Sequence, residues 1–417
     1  MPEWTLAGTL QQLRYRWWSF FHRRCLVGFP WFWPAHPAGH PAMVAARRLV
    51  RQQYGRDHGP VRRTLARLFA AVVWPPAVLV DLWDIRRHRG AEAVPIGRTP
   101  GAIWAALRHN VIPGEYYAYQ LWKPNRKVNI DNYLYAKEGP RLFRLLNRPS
   151  QPNPIDNKLA FHELCKAHAL PSPDVLAAFT PTSRMLEFES GQPPKRDLFV
   201  KPQFGLGSDG VERFRWHGGV FESHRGCRLS PDDLDSYIAT RARSENRTLL
   251  VQPALSNHPA LGIAPNSRLA AARLITGLTT NGSAFPICGF IYFPHSDLAA
   301  PYVSVASIDM ASGRLLFGLQ ELCETDGSKD QLHVKSDCPL ALPGWEAAVR
   351  HVKIAHQACP SFVFVGWDVA FTEQGPMLLE GNAHWCADEH QRLRGEPLGQ
   401  TKFVEILAMQ LRKQMML

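Results

Sequence analysis

The chain has 417 residues, 45% of them apolar and 20% charged, with a formal net charge of +12 at pH 7. That length and apolar content exclude a disordered chain and leave room for two or three domains. The charge is uneven: residues 1–148 hold 23 Lys and Arg against 8 Asp and Glu, whereas the other 269 hold 25 against 28.

Basic character therefore belongs to the N-terminal third, and it suits a phosphate-rich partner such as anionic lipid. Eight cysteines are scattered singly with no Cys-x-x-Cys pair, a pattern without thiolate-metal spacing that points to reduced thiols in a cytoplasmic compartment. No compact apolar segment followed by a small-residue cleavage site opens the sequence, which argues against secretion.

Trp4, Leu6, Leu10, Leu13, Trp17, Phe20 and Phe21 recur at helical spacing and predict an amphipathic helix. Cys25 to Ala46 carries no Asp, Glu, Lys or Arg over 22 residues, yet its four prolines exclude a spanning helix. Leu68 to Val80 is 13 residues long, broken by Pro75-Pro76, and too short to span. Trp, Phe and Leu interleaved with Arg match the makeup of interface-lying helices, so residues 1–98 form a candidate surface for an anionic membrane. The alternative is that these aromatics are plain core and the arginines its solvated face. No nucleic-acid motif is present, and no nucleic-acid partner is expected.

Residues 99–153 read as a connecting region, Tyr- and Asn-rich from Ile130 and ending in a proline cluster. Asp156-Asn157-Lys158 opens a helix that Pro171 and Pro173 stop. Lys158 in its first turn opposes the helix dipole, which calls for a nearby anion. Leu198 to Pro202 predicts a strand carrying Lys201, followed by a loop with Gly205, Gly207, Ser208 and Gly210, whose backbone amides could approach phosphate closely. The nucleotide fingerprints built on a glycine loop before a helix do not fit, because a strand follows. A solvated glycine hairpin is the other reading.

Ser230-Pro231-Asp232-Asp233 signals a helix start, with the helix running to about Arg243. A strand including Val251 and Gln252 follows, then an apolar stretch from Leu269 to Ile275 that contains Arg273. That arginine needs a partner, either a phosphate or an ordinary carboxylate. Helices are predicted from Trp345 to Ala358 and from Thr401 to Met415. His295, Asp297, Lys329, His333, His384 and Trp385 are loop residues that could line an acceptor site.

Phe362 to Phe371 and Met377 to Leu379 flank a polar turn near Gln374, a hairpin signal. Period-two alternation then places Asp368, Glu380 and Asn382 on one face. Two carboxylates and an amide oxygen there fit a hard divalent cation such as Mg²⁺, unless the acids are merely solvated.

Phe199-Val200-Lys201-Pro202 with the glycine loop, then Val251-Gln252-Pro253, then Asp368 with Glu380-x-Asn382, resembles the ATP-grasp superfamily. Ile155-Asp156-Asn157-Lys158, Leu342-Pro343-Gly344-Trp345 and the Asp368 hairpin resemble its sugar-transfer-associated branch. The resemblance implies an α+β ATP-grasp fold, with two α+β lobes gripping ATP; it does not reach residues 1–98, which their composition makes a basic, aromatic-rich, mainly helical region ahead of the lobes. Residues 154–250 would form the first lobe and 251–417 the second. Lys158 and Lys201 would contact phosphates under the loop from Gly205 to Gly210. Val251 and Gln252 would meet adenine, although Gln252 stands where many relatives have a glutamate. Arg273 would meet the γ-phosphate or an acyl-phosphate, and Asp368, Glu380 and Asn382 would hold Mg²⁺. The implied activity is an ATP-dependent carboxylate–amine ligase in surface polysaccharide or cell-envelope biosynthesis, with a kinase or an inactive membrane adaptor as alternatives.

Overall fold

The computed structural model describes residues 39–93, 96–136, 138–147, 153–205, 210–223, 226–263, 268–294, 302–316, 320–323 and 341–415. The helix expected near residues 4–21 lies outside this set, as do Gly207, Ser208, His295, Asp297, Lys329 and His333. The chain divides into two units: residues 1–146, 320–333 and 385–417, and residues 147–319 and 334–384.

The first unit is mainly helical. Its elements, numbered in chain order, are α1 (Pro41–His58), α2 (Pro60–Ala93), α3 (Thr99–His109), α4 (Pro113–Ala118), α5 (Pro124–Lys127), α6 (Gly139–Leu146), α10 (Asp388–Arg394), α11 (Lys402–Met415) and the short strand β11 (Gln320–Cys323). Contrary to the break expected at Pro75-Pro76, α2 runs through both prolines for 34 residues. Each proline removes one helical hydrogen bond. Trp74, Val78, Leu82 and Ile85, spaced for one face, bury against Tyr116, Tyr117, Tyr133 and Tyr135, and that burial offsets the loss. No described helix is long and apolar enough to cross a membrane.

Tyr119, Tyr133 and Tyr135 stack on one another and are buried, so the segment that reads as a connection in the sequence is packed core. Its backbone is held from both sides. Arg47 of α1 pairs with Glu138 at 2.8 Å and donates to the carbonyls of Asp131 and Tyr133. Gln391 of α10 donates to the Leu134 carbonyl and accepts from the Leu134 amide, while Tyr119 donates to Asp388. Trp385, in the loop before α10, is buried and stacked on Phe143.

The second unit contains two antiparallel sheets. One has the order β2-β1-β7-β3-β4-β5-β6, built from β1 (Ala177–Phe179), β2 (Arg184–Leu186), β3 (Leu198–Pro202), β4 (Glu212–His217), β5 (Val220–Ser223), β6 (Arg228–Leu229) and β7 (Leu249–Pro253). Helix α8 (Pro231–Glu245) packs on it through Leu234, Ile238 and Ala242. Within the unit the other sheet runs β10-β9-β8-β12-β13, from β8 (Ala271–Leu278), β9 (Ala284–Pro294), β10 (Tyr302–Ser307), β12 (Phe364–Thr372) and β13 (Gly375–Asn382). Helices α7 (Lys158–Ala167) and α9 (Trp345–Gln357) cover its apolar face, with Phe161, Ala348, Val352 and Ala355 set against Trp367, Val369 and Leu378.

Candidate functional site

The β12–β13 hairpin has the register its sequence pattern predicts. Thr372 pairs with Gly375 across a two-residue turn, and Asp368 pairs with Glu380. A bulge follows Asp368, which re-aims side chains at that point. The glycine in Glu380-Gly381-Asn382 has a steric cause: a Cβ there would lie 2.8 Å from Ile155 and 3.0 Å from the Trp367 ring. Trp367 itself is fixed by donating from Nε1 to Thr276 Oγ1 at 2.7 Å.

On its other side β12 pairs with β8, and the residue opposite Asp368 is Arg273. The guanidinium grips the carboxylate with two bonds, Nε to Oδ1 and Nη2 to Oδ2, both 2.8 Å. Asn382 Nδ2 donates to Asp368 Oδ2 at 3.3 Å. Asp368, Arg273, Glu380 and Asn382 therefore share one face over three adjacent strands.

Two lysines reach this row, one from α7 and one from β3 of the other sheet. Asn157 caps α7, its Oδ1 accepting from the amides of Leu159 and Ala160, and this sets Lys158 at the helix start. Lys158 Nζ lies 3.4 Å from Glu380 Oε2 and donates to the Gly205 carbonyl at 2.9 Å. The Glu380 carboxylate is the anion its place in the first turn calls for. Lys201, on β3, is 8% exposed. Burial pulls its ammonium down to about 8, opposed by the nearby charges of Glu380 and Asp368 and reinforced by that of Lys158. Three cations face two carboxylates, leaving the site a positive excess suited to an anion.

The glycine loop is tied at both of its described ends. Gly205 accepts from Lys158, and the Gly210 carbonyl accepts from Arg241 Nη2 at 2.5 Å. Gly210 has φ +73°, and a Cβ there would meet Pro202 at 2.9 Å. Sequence reasoning passed over Arg241, which sits in α8 and is joined to Glu212 at 3.0 Å and Glu245 at 2.7 Å. It also passed over Gln203, whose Nε2 donates to Asn157 Oδ1 at 2.9 Å and whose carbonyl accepts from the Lys158 amide. A polar residue directly after Lys-Pro was the available signal for Gln203; for Arg241 there was none. Val251 and Gln252 are buried in the interior strand β7, paired with β1 and β3. The Val251 carbonyl accepts from Leu176, and the Gln252 side chain donates to the Pro173 carbonyl at 3.0 Å.

Among the described residues no group of three or more His, Cys, Asp or Glu is placed to hold a metal ion. The hairpin set is two carboxylates and an amide, all hard oxygen donors. That chemistry fits Mg²⁺, which is commonly held by one or two carboxylates with substrate phosphates completing its shell.

Two antiparallel sheets with this strand–lysine–glycine loop and this carboxylate hairpin define an ATP-grasp fold. The family described as sugar-transfer associated ATP-grasp matches residues 139–402, and the chain belongs to it. No curated protein matches the sequence. Among solved structures, D-alanine–D-alanine ligase from Bacillus anthracis is similar at 12% identity over 63% of this chain and 70% of that one, with TM-score 0.38. The same enzyme complexed with ATP gives 0.36, over 63% and 68% of the two chains at 12% identity. Carboxyaminoimidazole ribonucleotide synthase from Aspergillus clavatus, complexed with ATP, gives 0.28 at 12% identity, over 55% and 44%. These scores are low, and the assignment rests on the family match.

Proposed function

We propose that this protein is an ATP-dependent carboxylate–amine ligase acting in surface polysaccharide or cell-envelope biosynthesis. The observation that carries the reading is the convergence of Lys158, Lys201 and Arg273 on the Asp368, Glu380 and Asn382 face. A kinase would use the same nucleotide site, and the identity of the product separates the two.

In this reading ATP lies with its phosphates between the Gly205 to Gly210 loop and the hairpin, its adenine beside the strand of Val251 and Gln252. Mg²⁺, when bound by Asp368, Glu380 and Asn382, supplies charge neutralisation for the phosphates. Lys158 and Lys201 hold the phosphate oxygens. Arg273 exchanges its hold on Asp368 for the transferring phosphoryl group, a trade between two anions at one guanidinium. A substrate carboxylate oxygen attacks the γ-phosphorus and ADP leaves. An amine nitrogen then attacks the acyl carbon, phosphate leaves, and the nitrogen's proton passes to solvent. The protein's contribution is placement and electrostatic stabilisation, with the glycine loop excluding water from the acyl-phosphate.

The basic residues 1–98 would bring this site to the cytoplasmic face of a membrane, where glycan intermediates with apolar tails are confined. The test of the activity is Mg²⁺-dependent ADP release over paired carboxylates and amines, with the product identified by mass spectrometry. An amide is expected. A phosphoester would move the assignment to a kinase, and the absence of any ADP release across the panel would leave the adaptor alternative.

A further inference from the structure

Helix α2 carries two apolar faces, and the core uses one. Val61, Leu65, Leu68, Val72, Leu79 and Trp83 form the other, each between 56% and 75% exposed. Spaced by four, three, four, seven and four residues, they fall within an arc of about 60° and extend about 33 Å along the helix. The buried line of Trp74, Val78, Leu82 and Ile85 is turned about 120° away from them. A continuous exposed apolar line of this length marks an interaction surface.

We propose that this line is the face on which the protein lies against an anionic lipid bilayer. The proposal deepens the membrane reading of residues 1–98 given above and rests on it. Charge complementarity argues for the occupant: those residues contain 15 Arg and no Lys against 5 acids. Within α2 no acid precedes Asp81, which is buried and accepts from the Gly114 amide. Where the line ends, the exposed Arg87 guanidinium sits 5.1 Å from the Trp83 ring, so that a cation and an amphipathic ring stand together, as headgroup-level contacts require.

The two prolines separate a lipid surface from a second copy of this chain. Pro75 and Pro76 are exposed and flank the line, and neither offers an N–H to the carbonyls of Ala71 and Val72 four residues back. In a dry helix–helix seam those carbonyls would be buried without their usual donor. The headgroup layer is hydrated and supplies donors, so a helix lying in it keeps its backbone satisfied.

The experiment is co-sedimentation of the full chain with vesicles of phosphatidylglycerol and phosphatidylcholine at low salt, beside a Leu65→Ser, Leu68→Ser, Val72→Ser variant. All three positions are exposed, so the variant should melt at the wild-type temperature. Its partition should fall about tenfold or more, because apolar insertion is lost while the arginines remain. Leu68→Glu, a single change on the same line, keeps the test open if the triple variant does not fold. Wild-type partition of both variants would overturn the assignment of this face while leaving the membrane reading standing on other residues. No binding by the full chain would overturn both. A lipid-free dimer by analytical ultracentrifugation that the same variants convert to monomer would give the face to a second copy and overturn the proposal. ADP release from soluble substrates is read in parallel, and its retention in the variants separates this surface from the ligase reading.

Discussion

Two arginine–carboxylate pairs in the second unit differ in contact and in surroundings: Arg273 grips Asp368 through two bonds of 2.8 Å, whereas Arg241 meets Glu212 through one of 3.0 Å. Arg241 and Glu212 are closed in: Glu212 is 0% exposed, and Arg241 has further partners in Glu245 and the Gly210 carbonyl. Tyr237 also donates to Glu212 at 3.1 Å. Arg273 and Asp368 remain part-exposed, at 23% and 16%, among additional charges of both signs. The first pair has no vacancy for a ligand, and its partners are fixed by burial. The second is a rank of competing charges in which an arriving anion or cation can replace a protein partner. The buried pair is closed by protein partners, and the part-exposed pair stays open to solvent.

The largest expected effect breaks the closed pair. Arg241→Leu leaves a fully buried carboxylate without its cation and should cost about 3–5 kcal/mol, read by urea denaturation. Arg273→Leu should cost much less stability, because Asp368 keeps access to water and to Asn382, while lowering turnover severely. Equal destabilisation by the two changes would erase the contrast.

Asp368→Asn, Glu380→Gln and Asn382→Ala should each lower turnover by about 10²- to 10³-fold, or about 3–4 kcal/mol in the barrier, with melting temperatures close to wild type. Full Mg²⁺-dependent turnover in Glu380→Gln would remove that residue from the metal set.

A third expectation concerns the support beneath the hairpin. His356 on α9 is buried, donates from Nε2 to the Phe362 carbonyl at 2.9 Å, and accepts at Nδ1 from Thr276 Oγ1 at 2.6 Å. Thr276 in turn accepts from Trp367, the neighbour of Asp368. Burial pulls His356 down to about 4 from 6.5, with the Phe362 bond acting the other way. The unfolded chain therefore binds more protons between pH 6.5 and 4, and this group's contribution to stability is complete above 6.5 and lost as pH falls through 4. The loss amounts to about 3 kcal/mol. In His356→Gln the corresponding slope should vanish, as measured by denaturation across that window.

The smallest expected effect is in Lys201→Met, which keeps most of the stem and removes the ammonium. ATP affinity should fall about tenfold by calorimetry. Because the wild-type ammonium titrates near 8, the gap between the two proteins should also close at higher pH. Undiminished affinity at pH 7 would leave Lys201 as a buried structural cation.

Sequence alone determined whatever depends on neighbours along the chain. The hairpin was legible because alternation fixes faces once the turn is placed, and the helix opening at Lys158 was legible from its Asn cap and proline stops. The Lys201 strand was legible for the same reason. Tertiary structure decided what chain distance conceals. Arg273 finds Asp368 across 95 positions, Arg241 anchors a glycine 31 residues away, and Lys158 meets Glu380 from another element. Nothing local could report that Pro75 and Pro76 would be carried through a helix, because the burial that offsets their lost hydrogen bonds comes from tyrosines about 40 to 60 residues further on. Backbone preference acts over a few residues and is written in the sequence, whereas charge pairing and burial act over a few ångströms and exist only once the chain has folded.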